Sequence, residues 1–80
     1  MERGIWSPPV ELRFGLGGNR TVTSAFEALI CLEDIWPKRT DAEYTRAKIA
    51  CKAALAGRLT PGEAREAFVS AADQCKLVLR

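Results

Sequence analysis

The sequence predicts an α+β fold in which an N-terminal β-hairpin packs on three α-helices. Three observations lead there. Val10-Glu11-Leu12-Arg13-Phe14 alternates apolar and charged residues, the period-two signature of a half-buried strand. A glycine-rich stretch and a β-branched stretch follow it. Then a hydroxyl residue stands three positions before a glutamate at Ser24-Ala25-Phe26-Glu27, Thr40-Asp41-Ala42-Glu43 and Thr60-Pro61-Gly62-Glu63, each time where an apolar-periodic run begins. In a capping box the hydroxyl accepts from the third helical N–H and the glutamate accepts from the cap's own N–H, so two otherwise unpaired donors are satisfied. Each such pair predicts a helix start. Replacing Ser24 or Thr40 with alanine is then expected to cost about 1 kcal/mol.

In chain order, residues 1–8 read as an irregular lead-in, since Pro8-Pro9 favours extended backbone. Residues 9–23 read as the hairpin, with Val10, Leu12, Phe14 and Val22 turned to the core. Gly15-Leu16-Gly17-Gly18-Asn19 supplies a loop that tolerates positive φ. The first helix spans 24–36 and stops at Pro37. Ala25, Ala28, Leu29, Leu32 and Trp36 form its stripe, widened by Phe26 and Ile30. With only Glu27, Glu33 and Asp34 charged, it reads as the central helix, covered on more than one side. The second spans 40–56, with Tyr44, Ala47, Cys51, Ala54 and Leu55 on one face and Gly57 placed for a left-handed end. The third spans 60–75, where Pro61 suits the first helical position. Its stripe, Ala64, Ala67, Phe68, Ala71, Ala72 and Cys75, is rich in alanine, which implies close helix–helix approach. Residues 76–80 read as a short third strand on the hairpin edge, although Leu77 and Leu79 equally suit an extended third helix.

Composition bounds the function. Eighty residues, 48% of them hydrophobic, suit one domain with a modest core that would gain from a partner or from self-association. Twelve basic against 10 acidic residues give +2, without the basic stripe of a polyanion binder. Nothing approaches the ~20 apolar residues of a membrane span. Met-Glu-Arg-Gly-Ile-Trp-Ser-Pro-Pro lacks the apolar core of a secretory signal, so cytosolic residence is expected.

Chemistry-bearing constellations are sparse. Cys31, Cys51 and Cys75 are widely spaced and the chain has no histidine, so a zinc site would lack its usual ligands and the thiols read as core residues. The glycine loop leads into a strand instead of a helix, which makes it a turn and not a phosphate cradle. The glutamates at helix starts are explained by capping. Helices two and three invite comparison with a helix-turn-helix, but Glu63 and Glu66 would face phosphate. Arg65 reads as pairing with Glu33 or Asp34. No catalytic, cofactor-binding or metal-binding residue is predicted. Trp6 is weighed as a core residue first and as a partner contact second. Leu77, Val78 and Leu79 join it as partner-binding candidates, because an edge strand invites pairing.

Taken together the elements resemble a small bacterial family, domain of unknown function 982, found chiefly in alphaproteobacteria. The resemblance rests on Trp6 with Pro9-Val10, Val22, Ala28 with Leu32, Trp36-Pro37, Ala47 with Cys51, Ala54-Leu55 with Gly57, Glu63-Ala64-Arg65, Ala67-Phe68 and Ala71-Ala72. It implies a short α+β protein and transfers no functional residue. The expected function is a non-enzymatic module acting through self-association or a protein partner. The alternative is a nucleic-acid-associated regulator using Arg13, Arg20, Arg46, Lys48 and Lys52 as a basic face.

Overall fold

A computed structural model describes residues 5–15 and 18–78. Among them, β1 (Ile5–Arg13) and β2 (Asn19–Ser24) form an antiparallel hairpin, followed by α1 (Ala25–Asp34), α2 (Ala42–Leu55) and α3 (Pro61–Gln74). The α+β architecture follows the expected order.

β1 starts at Ile5, ahead of the expected start at residue 9, so the lead-in is partly strand. Ile5 pairs with Ser24 and the register then jumps to Val10 opposite Val22. Pro8 and Pro9 carry no N–H, so this stretch is extended yet leaves the ladder. From Val10 to Arg13 pairing is regular, and the alternation works as the pattern implies: Val10, Leu12 and Val22 are buried, with Phe14 half-buried beside them. At the closed end Phe14 N–H donates to the Gly18 carbonyl (2.9 Å) and Gly18 N–H to the Gly15 carbonyl (3.1 Å). Both glycines are left-handed, at φ 64° and 82°, which a side chain would strain.

Two of the three helix starts cap through a hydroxyl. Thr60 and Glu63 form a complete capping box, with Glu63 N–H donating to the Thr60 hydroxyl (3.1 Å) and Thr60 N–H to the Glu63 carboxylate (2.9 Å). Ser24 caps α1 by accepting from Glu27 N–H (3.2 Å), but the Glu27 carboxylate reaches one residue further back, to Thr23 N–H (2.8 Å). Ser24→Ala is expected to lower stability by about 1 kcal/mol. An unchanged denaturant midpoint would contradict the cap. The expected box at Thr40 does not form: α2 is capped at Asp41, which makes no side-chain cap bond and pairs instead with Lys38 (3.4 Å). Glu43 falls one position too early for a box, and its Oε1 is buried without a partner among the described residues. The cost expected for Thr40→Ala therefore has no basis in the structure.

The core is one cluster in which the helices meet on small residues. Ala47, Cys51, Ala64 and Ala72 are fully buried and Ala71 nearly so, which brings α2 and α3 close along their length. α2 packs more extensively on α3 than on α1, so α1 is not the covered central helix its composition suggested. Phe26 and Ile30 stay 61% and 44% exposed. On α2, Leu55 leaves the expected stripe and Ala50 joins the buried set. Tyr44 is buried there, its hydroxyl donating to the Leu32 carbonyl at 3.0 Å and tying α2 to α1.

The tail does not build a third strand among the described residues. Lys76 and Leu77 donate to the Asp73 (3.0 Å) and Ala72 (2.9 Å) carbonyls, closing α3. The chain then touches β1 through Arg13 N–H to the Leu77 carbonyl (2.7 Å) and a single Leu12–Val78 bridge.

Candidate interaction surface

The structure places the partner-binding candidates mostly inside the chain. Trp6 is 3% exposed and its ring centroid lies 5.5 Å from that of Phe68. Trp36 also packs on Phe68, with ring centroids 5.4 Å apart, and Phe14 meets Trp36 edge-on at 6.0 Å. The contact that anchors the start of β1 was not legible in the sequence: Arg65 Nε donates to the Pro8 carbonyl at 2.9 Å, across 57 residues, and not to Glu33 or Asp34. Leu77 is 7% exposed and Val78 half-buried against Leu12. Trp6 and Leu77 thus present no surface to a second chain. Leu79 lies outside the described residues.

Of the polar candidates, Arg46 and Lys48 are held in local structure. On α2, Arg46 lies 4.0 Å from Glu43, and Lys48 lies 3.9 Å from Glu33 with its Nζ 5.6 Å from the Tyr44 ring centroid. Arg13 and Arg20 stand at the closed end of the hairpin, so the expected basic set divides into two groups. The Glu27 carboxyl is held below the usual range, because Thr23 N–H and the Thr23 hydroxyl both donate to it. Burial pushes all three thiols up, Cys51 to about 12, which makes them poor nucleophiles at neutral pH. Among the described residues no His, Cys, Asp and Glu side chains cluster as metal ligands, and no helix is long and apolar enough to cross a membrane.

One surface feature with no internal explanation is apolar. Ile5, Phe26 and Leu55 are 50%, 61% and 54% exposed, and they border one shallow groove of about 290 Å³ floored by Ala25, Ala54 and Pro61. Four element ends converge to make it. Ile5 opens β1, Phe26 sits in the first turn of α1, Leu55 closes α2 and Pro61 opens α3. Among the described residues no charged side chain lines it. A second apolar patch, around Ile49 at 63% exposure, lies on α2 beside Ala42, Ala50 and Leu59. Sequence reasoning folded Phe26 and Leu55 into core stripes. A signal was present for the first: Phe26 and Ile30 are four residues apart, so they share a stripe of their own beside Ala28 and Leu32.

Two comparisons place the chain among known proteins. A protein of Agrobacterium tumefaciens, Atu1219, whose structure was determined by NMR, is similar over 96% of this chain and 77% of its own, at 31% identity and a TM-score of 0.80. No curated protein matches the chain. The model of the family described as "Protein of unknown function (DUF982)" matches residues 8–79, and the chain belongs to that family.

Proposed function

We propose that the protein is a non-enzymatic interaction module that pairs with a second copy of itself through the groove bordered by Ile5, Phe26 and Leu55. The observation that carries this reading is three large apolar side chains from three different elements, all about half-exposed or more, gathered at one place. Scattered exposed hydrophobes are ordinary, whereas a contiguous patch marks an interaction site. The uncharged lining among the described residues favours a like partner: across a two-fold axis the same patch faces itself, and such a lining meets no like charge. A domain this small gains stability by covering such a face. Free cysteines without a disulfide among the described residues support placing the protein in a reducing compartment, the cytosol.

Sedimentation equilibrium tests the reading. The wild-type chain is expected to show a concentration-dependent dimer mass. Phe26→Asp is expected to sediment as a monomer with an unchanged circular dichroism spectrum, since Phe26 is exposed and its loss opens no cavity. A wild-type chain that stays monomeric at every concentration overturns self-pairing. A complex formed only with a different protein would move the groove to a heterologous role.

A further inference from the structure

At the opposite end of the hairpin, its closed end, the C-terminal end of α1 and the turn after α3 border a half-open cleft of about 470 Å³. Phe14, Ile35 and Leu77 form its apolar wall, and its charged lining residues are all cations: Arg13, Arg20 and Lys76. They arrive from the end of β1, the start of β2 and the turn after α3, so the fold gathers them and sequence proximity does not. Among the described residues none of the three has a carboxylate within 4.0 Å. Nor does any of their side chains make a hydrogen bond there, whereas Arg39 and Arg65 each donate to a backbone carbonyl. The partial negative charges at the ends of α1 and α3 offer an ordinary explanation. Each helix end is worth roughly half a charge, which leaves most of three full charges unanswered.

Lys76 supplies an independent argument. α2 and α3 end in the same hydrogen-bonded turn. At α2, Gly57 N–H donates to Ala54 and Arg58 N–H to Ala53; at α3, Lys76 N–H donates to Asp73 and Leu77 N–H to Ala72. Both turns require a left-handed residue, at φ 84° for Gly57 and 58° for Lys76. Glycine is the unstrained choice, and α2 uses it. Lys76 is the only non-glycine residue with positive φ among the described residues, and its side chain lines the cavity. Strain of this kind, borne by a charged side chain at a cavity wall, is characteristic of a functional position.

We infer that the cavity binds a small organic anion with a carboxylate or phosphate head and an apolar body. The guanidinium groups of Arg13 and Arg20 and the Lys76 ammonium take the head, for which planar arginine forks are well matched. Phe14, Ile35 and Leu77 cover the body. The volume falls within the roughly 300–1,000 Å³ typical of small-molecule sites. The site is separate from the Ile5–Phe26–Leu55 groove and shares no described lining residue with it.

Titration of the full chain with decanoate, decyl phosphate and the neutral decanol, followed by amide chemical shifts, tests this. Saturable binding of at least one anion is expected, with shifts centred on Arg13–Gly15, Ile35 and Lys76–Leu77, at least tenfold tighter than decanol and weakening as salt rises. The tighter of the two anions identifies the head group. Arg13→Gln with Arg20→Gln is expected to weaken binding about tenfold or more. Lys76→Gly removes a cation while relieving the turn, so it is expected to raise Tm yet weaken binding threefold or more, which separates binding from folding. The inference is overturned if neither anion saturates, if decanol binds equally well, if the shifts centre on Phe26 and Leu55, or if the variants keep wild-type affinity.

Discussion

Phe68→Ala is expected to remove about 3–5 kcal/mol of stability, the usual loss for a fully buried phenylalanine. Phe68 is 0% exposed and its ring contacts those of both Trp6 and Trp36, at 5.5 and 5.4 Å with interplanar angles of 50°. Two effects add there. The truncation opens a cavity among large rigid rings that cannot close over it, and it deletes two aromatic pairs worth about 0.5–1.5 kcal/mol each. The position also joins three segments, since Trp6 belongs to β1, Trp36 follows α1 and Phe68 lies in α3. A domain of this size holds on the order of 5 kcal/mol in total, so the variant is expected to sit near its unfolding midpoint in water at 25 °C. Phe68→Leu, which keeps most of the volume, is expected to lose about 1.5 kcal/mol or less. Urea denaturation measures both. A loss below about 2 kcal/mol for alanine would mean that the ring cluster collapses to fill the space.

The second large effect is alkaline. Cys51 is fully buried in α2 within the core cluster, and burial alone pushes its thiol from 9.0 to about 12. The raised value belongs to the folded state, so between about pH 9 and 12 the unfolded chain releases a proton that the native chain retains. Stability is therefore fully present below pH 9 and falls as pH climbs through that window, by about 1.4 kcal/mol per pH unit from this thiol. Cys31 adds in the same direction, because burial raises its thiol too, partly offset by Arg20. Urea melts of the wild type and Cys51→Ala at pH 8 and pH 10.5 isolate the term, since lysine and tyrosine titration is common to both. Cys51→Ala is expected to start less stable and to lose about 2 kcal/mol less over that interval. Parallel declines would show that the thiol is reached by solvent in the native state.

How far the sequence disclosed this molecule depended on the range of the interaction. Short-range signals were legible. The Val10–Phe14 alternation, the Ser24 and Thr60 caps and the α3 alanine stripe each describe physics within one turn or one strand, whereas α1 ends at Asp34, two residues short of the expected end at Trp36 before Pro37. Thr40 failed for a local reason of a different kind: Asp41, one residue on, competes for the same role and takes the cap position. The Arg65–Pro8 bond and the cavity of Arg13, Arg20 and Lys76 could not be read, because the partners lie far apart in the chain and nothing in their spacing marks them. The groove at Ile5, Phe26 and Leu55 was hidden for another reason. Apolar residues on a helix are assigned inward by default, and only the placement of neighbouring elements shows which stripe is left uncovered.

The bond from Thr23 N–H to the Glu27 carboxylate has a consequence beyond the helix it introduces. A two-stranded ribbon is prone to zipping against other ribbons into fibrils, one free amide after another. Here the acid at the start of α1 occupies an amide that would otherwise lie open along β2, and Leu77 answers the Arg13 amide on the far side of β1. The same glutamate that begins a helix therefore also blunts a sticky margin.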